Sequence, residues 1–145
     1  PYWDTGAPSL PKLGDYLHQF SNPFNSYEPI DSSAAAITGQ GLIRLGKYLQ
    51  DHNERELGVA YYQAGLTIAD TLLGSPYLSE SENHQGLLLH SIYHHPNGWD
   101  YCPEGYKIPC GESSMWGDYH LREFALLLIR LSENQSYLTF FSNGD

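Results

Sequence analysis

Acid–base chemistry on a bound substrate needs a proton donor, usually Asp or Glu, and a positioned water. Six carboxylates fall in or near stretches that read as loop: Asp4, Asp31, Asp100, Glu104, Glu112 and Asp118. No two of them announce a catalytic pair by spacing. Asp31 stands directly before Ser32-Ser33-Ala34-Ala35-Ala36 and reads more readily as a helix cap than as a catalyst. Asp118 falls in the first turn of another expected helix, where the positive end of the helix dipole favours a carboxylate. Glu112, just ahead of that helix, can serve the same end. The aromatic residues say more. Trp3, Trp99 and Trp116, with Tyr93, Tyr101, Tyr106 and Tyr119, gather in loops or at a helix start, close to His90, His94 and His95. Sugar rings carry apolar C–H faces that pack on aromatic rings while neighbouring polar groups take the hydroxyls. The group reads as a pocket rim or, equally, as plugs closing the ends of a helical barrel.

Cys102 and Cys110 are separated by seven residues in a Pro- and Gly-rich stretch. They could form a local disulfide, join the nearby histidines around a metal without any standard zinc spacing, or remain free thiols.

The elements that would position these residues are helical. Asp31-Ser32-Ser33 supplies capping side chains, and apolar positions at 34, 37, 42, 45, 48 and 49 predict a helix to about Gln50. Gly39, Gly41 and Gly46 weaken it, each by up to about 1 kcal/mol, and imply close approach of a neighbour. A second helix is expected almost at once. It is capped by Asn53 with Glu56 in a variant capping box, carries Leu57, Tyr61, Ala64, Ile68 and Leu72 as its stripe, and ends at Gly74. So short a connection makes the two an antiparallel hairpin. Residues 75–112 show no helical period, although 86–93 could be a short extended segment. A third helix begins near Ser113 or Ser114 and carries Trp116, Tyr119, Glu123, Phe124, Leu127, Leu128 and Leu131. Residues 1–30 read as loop, and a short tail runs through Tyr137 to Phe141. Helical hairpins with aromatic loops at one end are how an α/α barrel is laid down. Three long helices cannot close such a ring, so this is expected to be part of a larger domain.

The 145 residues carry seventeen acidic side chains against seven Lys and Arg, a net charge of −10. That argues against a nucleic-acid partner, whose affinity comes chiefly from cations neutralising phosphates. It does not exclude a pocket for one charged sugar, because local charges decide that. No apolar run approaches the roughly 20 residues needed to cross a bilayer. No charged-then-apolar leader is seen, and the opening on Pro1 suggests a processed or partial chain.

Three stretches together resemble the second half of unsaturated glucuronyl hydrolases. They are Pro1-Tyr2-Trp3-Asp4, Asp31 to Ile37 followed by Gly41-Leu42, and Ser113-Ser114-Met115-Trp116-Gly117-Asp118-Tyr119 running into a Leu-rich helix. Their order and spacing agree with that family across essentially the whole chain. The related unsaturated rhamnogalacturonyl hydrolases share the barrel but not this combination. The resemblance implies an all-α fold, an (α/α)6 barrel of which residues 1–145 form the C-terminal part of a single catalytic domain. It implies removal of a 4,5-unsaturated uronic acid from the non-reducing end of lyase-generated oligosaccharides. In that reaction an Asp protonates the C4=C5 double bond, water adds at C5, and the hemiketal opens. No metal or organic cofactor is implied. The expected partners are the unsaturated oligosaccharide and the N-terminal remainder of the barrel, in the cytoplasm or alternatively the periplasm.

The family's catalytic Asp residues lie upstream of the segment that Pro1 begins, so none is expected here. Tyr93 and His94 would line the substrate site, with Trp3 and Trp116 at or just behind its wall. After Tyr93 the sequence His94-His95-Pro96-Asn97-Gly98 lacks the Ser-x-x-Ser-x-Lys pattern that some members carry for sulfated substrates. The alternative from another class is a non-catalytic helical carbohydrate-binding or structural module.

Overall fold

The computed structural model describes residues 1–136; the expected tail from Tyr137 to Phe141 lies outside them. Three α-helices dominate: α1 (Ser32–Asp51), α2 (Arg55–Leu72) and α3 (Met115–Ser132). No strand forms among the described residues. Among the described residues β-pairing is limited to two isolated antiparallel bridges, Tyr2 with Ile30 and Leu78 with Leu88. The extended segment expected over 86–93 is therefore reduced to a single bridge at Leu88. The fold is all-α, and none of its described helices is long and apolar enough to cross a membrane.

Two of the three starts carry side-chain caps: α1 at Asp31, as read from the sequence, and α3 at Ser114, where its start was expected. The Asp31 side chain accepts from the Ser33 N–H, and Ser114 accepts from the Gly117 N–H, contacts typically worth about 1 kcal/mol each. The start of α2 differs. Its cap is Glu54, with no side-chain hydrogen bond, and Asn53 sits at φ +65°. Asn53 makes the turn between the helices in a left-handed conformation that Asn tolerates, and so cannot be the extended cap of the next helix.

The packed faces also differ from the apolar stripes read in the sequence. In α1 the buried residues include Ala35, Ala36, Gly39, Ile43 and Gly46, while Ile37, Leu45 and Tyr48 are exposed. In α2 they are Gly58, Gly65, Ala69 and Leu72, and Leu57 faces solvent. Glycine decides the seam. A Cβ on Gly46 would stand 2.7 Å from the Gly58 carbonyl oxygen, and one on Gly58 would stand 2.7 Å from the Gly46 oxygen. Further along, a Cβ on Gly65 would meet the Gly39 oxygen at 3.0 Å. Backbones this close admit no side chain between them. Pairing of 46 with 58 and of 39 with 65 fixes an antiparallel hairpin.

Helix α3 runs the other way relative to α2, parallel to α1. Trp116 meets Ser33, the Gln40 side chain donates to the His120 carbonyl at 3.0 Å, and Phe124 fills the space over Gly39. Contacts thus advance together along both helices. Ile43, Ala69, Phe124 and Leu127 form one core cluster. Ile30, Ala35, Ala36, Leu72, Tyr77, Leu88 and Leu121 form a second, nearer the starts of α1 and α3. The result is two parallel helices whose N-terminal ends lie side by side, joined through an antiparallel one.

Candidate functional site

The loop that crosses those two N-terminal ends is held by carboxylates. Asp118, in the first turn of α3, accepts from the Leu87 N–H at 3.0 Å through each oxygen and from the Leu88 N–H at 2.9 Å. Asp31 accepts from the Ser33 N–H at 3.0 Å, the Ser33 hydroxyl at 2.6 Å and the Ile92 N–H at 3.4 Å. Asp100 accepts from the Tyr93 N–H and, at 2.9 Å, from the His94 N–H. Backbone bonds add to this: the Ser32 N–H donates to the His90 carbonyl and the Ser91 N–H to the Glu112 carbonyl, each at 3.0 Å. Asp118 and Asp100 thus hold the loop through both oxygens, and Asp31 ties it to the start of α1 through Oδ1. All three position the loop.

What the loop presents is aromatic. Tyr93 is exposed, its ring 5.7 Å from Trp99 at 29° and 5.3 Å from Trp116 at 32°. His94 lies 5.1 Å from Trp99. The Trp116 indole N–H donates to the Ser33 hydroxyl at 3.2 Å, and that hydroxyl in turn donates to Asp31. One chain of hydrogen bonds therefore joins an aromatic wall to the cap of α1. Trp3 adjoins through His95, on the short 3-10 turn His95–Asn97, with ring centroids 4.9 Å apart and nearly edge-on. Of the four residues expected to touch a sugar, Tyr93, His94 and Trp116 fall in one ring cluster, and Trp3 flanks it.

Glu28 was not singled out among the sequence's acids. It is 2% exposed, and it accepts from the Trp3 indole N–H at 2.7 Å and the Ser9 N–H at 2.5 Å. Its partners stand 25 and 19 residues upstream, so no local pattern marks it.

His90 departs from the expected rim. It is buried at φ +65°, with the edges of Phe24 and Tyr77 packed about its ring. Its Nδ1 accepts from the Gly111 N–H at 3.0 Å, which leaves Nε2–H to donate to the Pro76 carbonyl. Burial pushes its pKa down from 6.5, opposed in part by the Pro76 bond. It is a neutral brace between three loop segments.

A separate groove of about 560 Å³ opens beside the end of α2, between Phe20, Ile30, Ile68, Leu72 and Tyr77. None of Trp3, Tyr93, His94 or Trp116 lines it. Among the described residues no cluster of His, Cys, Asp and Glu is arranged to hold a metal ion.

Comparison with protein families, curated proteins and solved structures finds no match.

Proposed function

We propose that this chain is the C-terminal part of an (α/α)6 barrel of the unsaturated glucuronyl hydrolase type, supplying one wall of its sugar pocket. The observation that carries the reading is the placement of the rim. Tyr93, Trp99 and Trp116 stand over the paired N-terminal ends of two parallel helices, with the intervening helix antiparallel to both. In a ring of helical hairpins such a pair would be neighbours of the inner circle, and their loops would form the mouth.

The rim suits a sugar. The exposed faces of Tyr93 and Trp99 offer apolar surface for C–H packing, and His94 adds a ring nitrogen within reach of a hydroxyl or carboxylate. In this reading the wall orients the unsaturated uronic acid while an upstream Asp protonates its C4=C5 bond. The carboxylates Asp31, Asp100 and Asp118 keep the wall in place.

The exposed apolar residues of the helices support a larger domain. Met115, Tyr119, Leu126 and Ile129 recur on one side of α3, and Ile37, Leu45 and Tyr48 on one side of α1. Further hairpins would cover both.

The test is an ultraviolet assay, since the substrate's double bond absorbs and its hydrated product does not. A longer chain with the upstream hairpins should turn over an unsaturated disaccharide, whereas residues 1–145 alone should not. Turnover by this chain alone would place the proton donor within it and defeat the proposal. Saturable binding of the sugar without turnover by the longer chain would favour the binding-module reading.

A further inference from the structure

The loop that follows Asp100 carries both cysteines, and its path brings them toward one another. A turn closes at Tyr106, whose N–H donates to the Pro103 carbonyl at 3.1 Å, with Gly105 at φ +85°. That positive φ belongs to glycine and lets the chain reverse. Beyond the reversal the Cys102 thiol lies 3.2 Å from the Ile108 carbonyl oxygen and 3.4 Å from that of Tyr106. One residue, Pro109, separates Ile108 from Cys110, a span of at most about 7 Å between their Cα atoms. The two thiols differ in setting: Cys102 is exposed and Cys110 buried. Burial, and then the neighbouring Cys102, push the Cys110 thiol's pKa up. The position after Cys110 is fixed, since the Gly111 N–H is held by His90.

We propose that Cys102 and Cys110 are a thiol-oxidation site, in which an external disulfide such as oxidised glutathione converts them to an intramolecular bridge. The exposed Cys102 thiolate attacks the reagent, forming a mixed disulfide and expelling one glutathione thiolate. The Cys110 thiolate then attacks the Cys102 sulfur, breaks the mixed bond and expels the second glutathione. Two protein S–H bonds are lost and one S–S bond is gained, while the reagent's S–S bond is reduced to two thiols. The bridge would staple the loop beside Asp100, whose carboxylate holds the backbone of Tyr93 and His94. This site stands independently of any sugar chemistry.

Lys107, between the two cysteines, makes the test direct. The reduced, folded chain is incubated with oxidised glutathione, quenched in acid, alkylated with iodoacetamide and cut with trypsin. The expected result is complete loss of alkylatable thiols. The Cys102 and Cys110 peptides should stay joined despite cleavage at Lys107, lighter together by two hydrogens and separating on reduction. In the Cys110→Ser chain glutathione should remain trapped on Cys102, and Cys102→Ser should abolish the reaction. Because Cys102 is exposed, the second variant keeps the test decisive even where the first folds poorly. Recovery of both cysteines alkylated, stable glutathione on wild-type Cys102, or bridges only between two chains would each overturn the proposal.

Discussion

The two ends of the molecule are held by opposite means. Along the α1–α2 seam the contact is made by what is missing: Gly46 meets Gly58 and Gly65 meets Gly39 with no side chain between the backbones. At the N-terminal ends of α1 and α3 the contact is made by added charge, as Asp31, Asp100 and Asp118 grip the N–H groups of a loop that no strand or helix satisfies. The first device gives close packing that tolerates no added volume. The second holds an irregular backbone in place, leaving the aromatic side chains on it free to face outward. A rigid hairpin at one end and a carboxylate-pinned loop at the other would be, in the proposed reading, a division between support and site.

The largest expected effect comes from filling the seam. Gly58→Ala puts a Cβ 2.7 Å from the Gly46 oxygen and 2.8 Å from the Gln50 backbone nitrogen, neither of which can yield without separating the helices. A loss of about 3 kcal/mol is expected. Gly41 lies in the same helix as Gly46 with nothing within 4 Å of its added Cβ. There Gly41→Ala should gain up to about 1 kcal/mol from helix propensity alone. Urea unfolding of the two variants reads the comparison, and shifts in the same direction would break it.

Next comes the charged grip. Asp118→Ala leaves the Leu87 and Leu88 N–H groups without their acceptor, at an expected cost of about 2 kcal/mol. Asp118→Asn keeps one acceptor oxygen and should lose roughly half as much. Amide exchange at Leu87 and Leu88 should quicken in the Ala variant, while the seam amides keep their protection. A uniform change across the chain would mean that the two ends are not separable.

This contrast also explains what could be read in advance. The helices were legible, as was the cap Asp31, because a cap and its N–H partner lie within one turn. The stripe of α2 was right at Ile68 and Leu72, but that of α1 and the start of α2 were misassigned because a stripe is scored on apolar side chains, and the packed residues at 39, 46, 58 and 65 have none. The glycines did signal close approach, correctly for Gly39 and Gly46 but not for Gly41. Asn53 looked like a cap by residue type, yet its positive φ makes it the turn. The aromatic rim was legible as a group. The grips on it were not, since Asp118 and Asp31 reach backbone groups 30 and 61 residues away. Nothing local marks a pairing over that distance.

A third expected effect is smaller and depends on pH. His90 is held neutral, with its pKa below the unfolded value of 6.5. Above about pH 6.5 both states are unprotonated, so the group contributes no pH dependence there. As the pH falls below that, the unfolded chain takes up a proton first and the folded state loses stability, until its own lower pKa is passed. Unfolding free energy measured at pH 7.5 and pH 5 should therefore show a decrease on acidification. His90→Asn, whose amide tolerates the left-handed backbone, should reduce that decrease. An undiminished decrease in the variant would move the cause to other groups.

The smallest effect on stability should come from the rim itself, and there the division between support and site meets its strictest test. Trp99 is 61% exposed, and its ring lies against those of Tyr93 and His94. Removing it exposes little new surface and breaks no backbone bond, so Trp99→Ala should change unfolding free energy by no more than about 0.5 kcal/mol. Its expected consequence is in binding. If the proposed function holds, the variant in a longer chain with the proposed upstream hairpins should weaken association with an unsaturated disaccharide while leaving the Asp118 grip and the seam unchanged. Tyr93→Ala should act in the same direction, because its ring bridges Trp99 and Trp116. If Trp99→Ala instead lowered stability as much as Asp118→Ala does, the aromatic cluster would be part of the support. The rim would then be a plug closing the end of the helices.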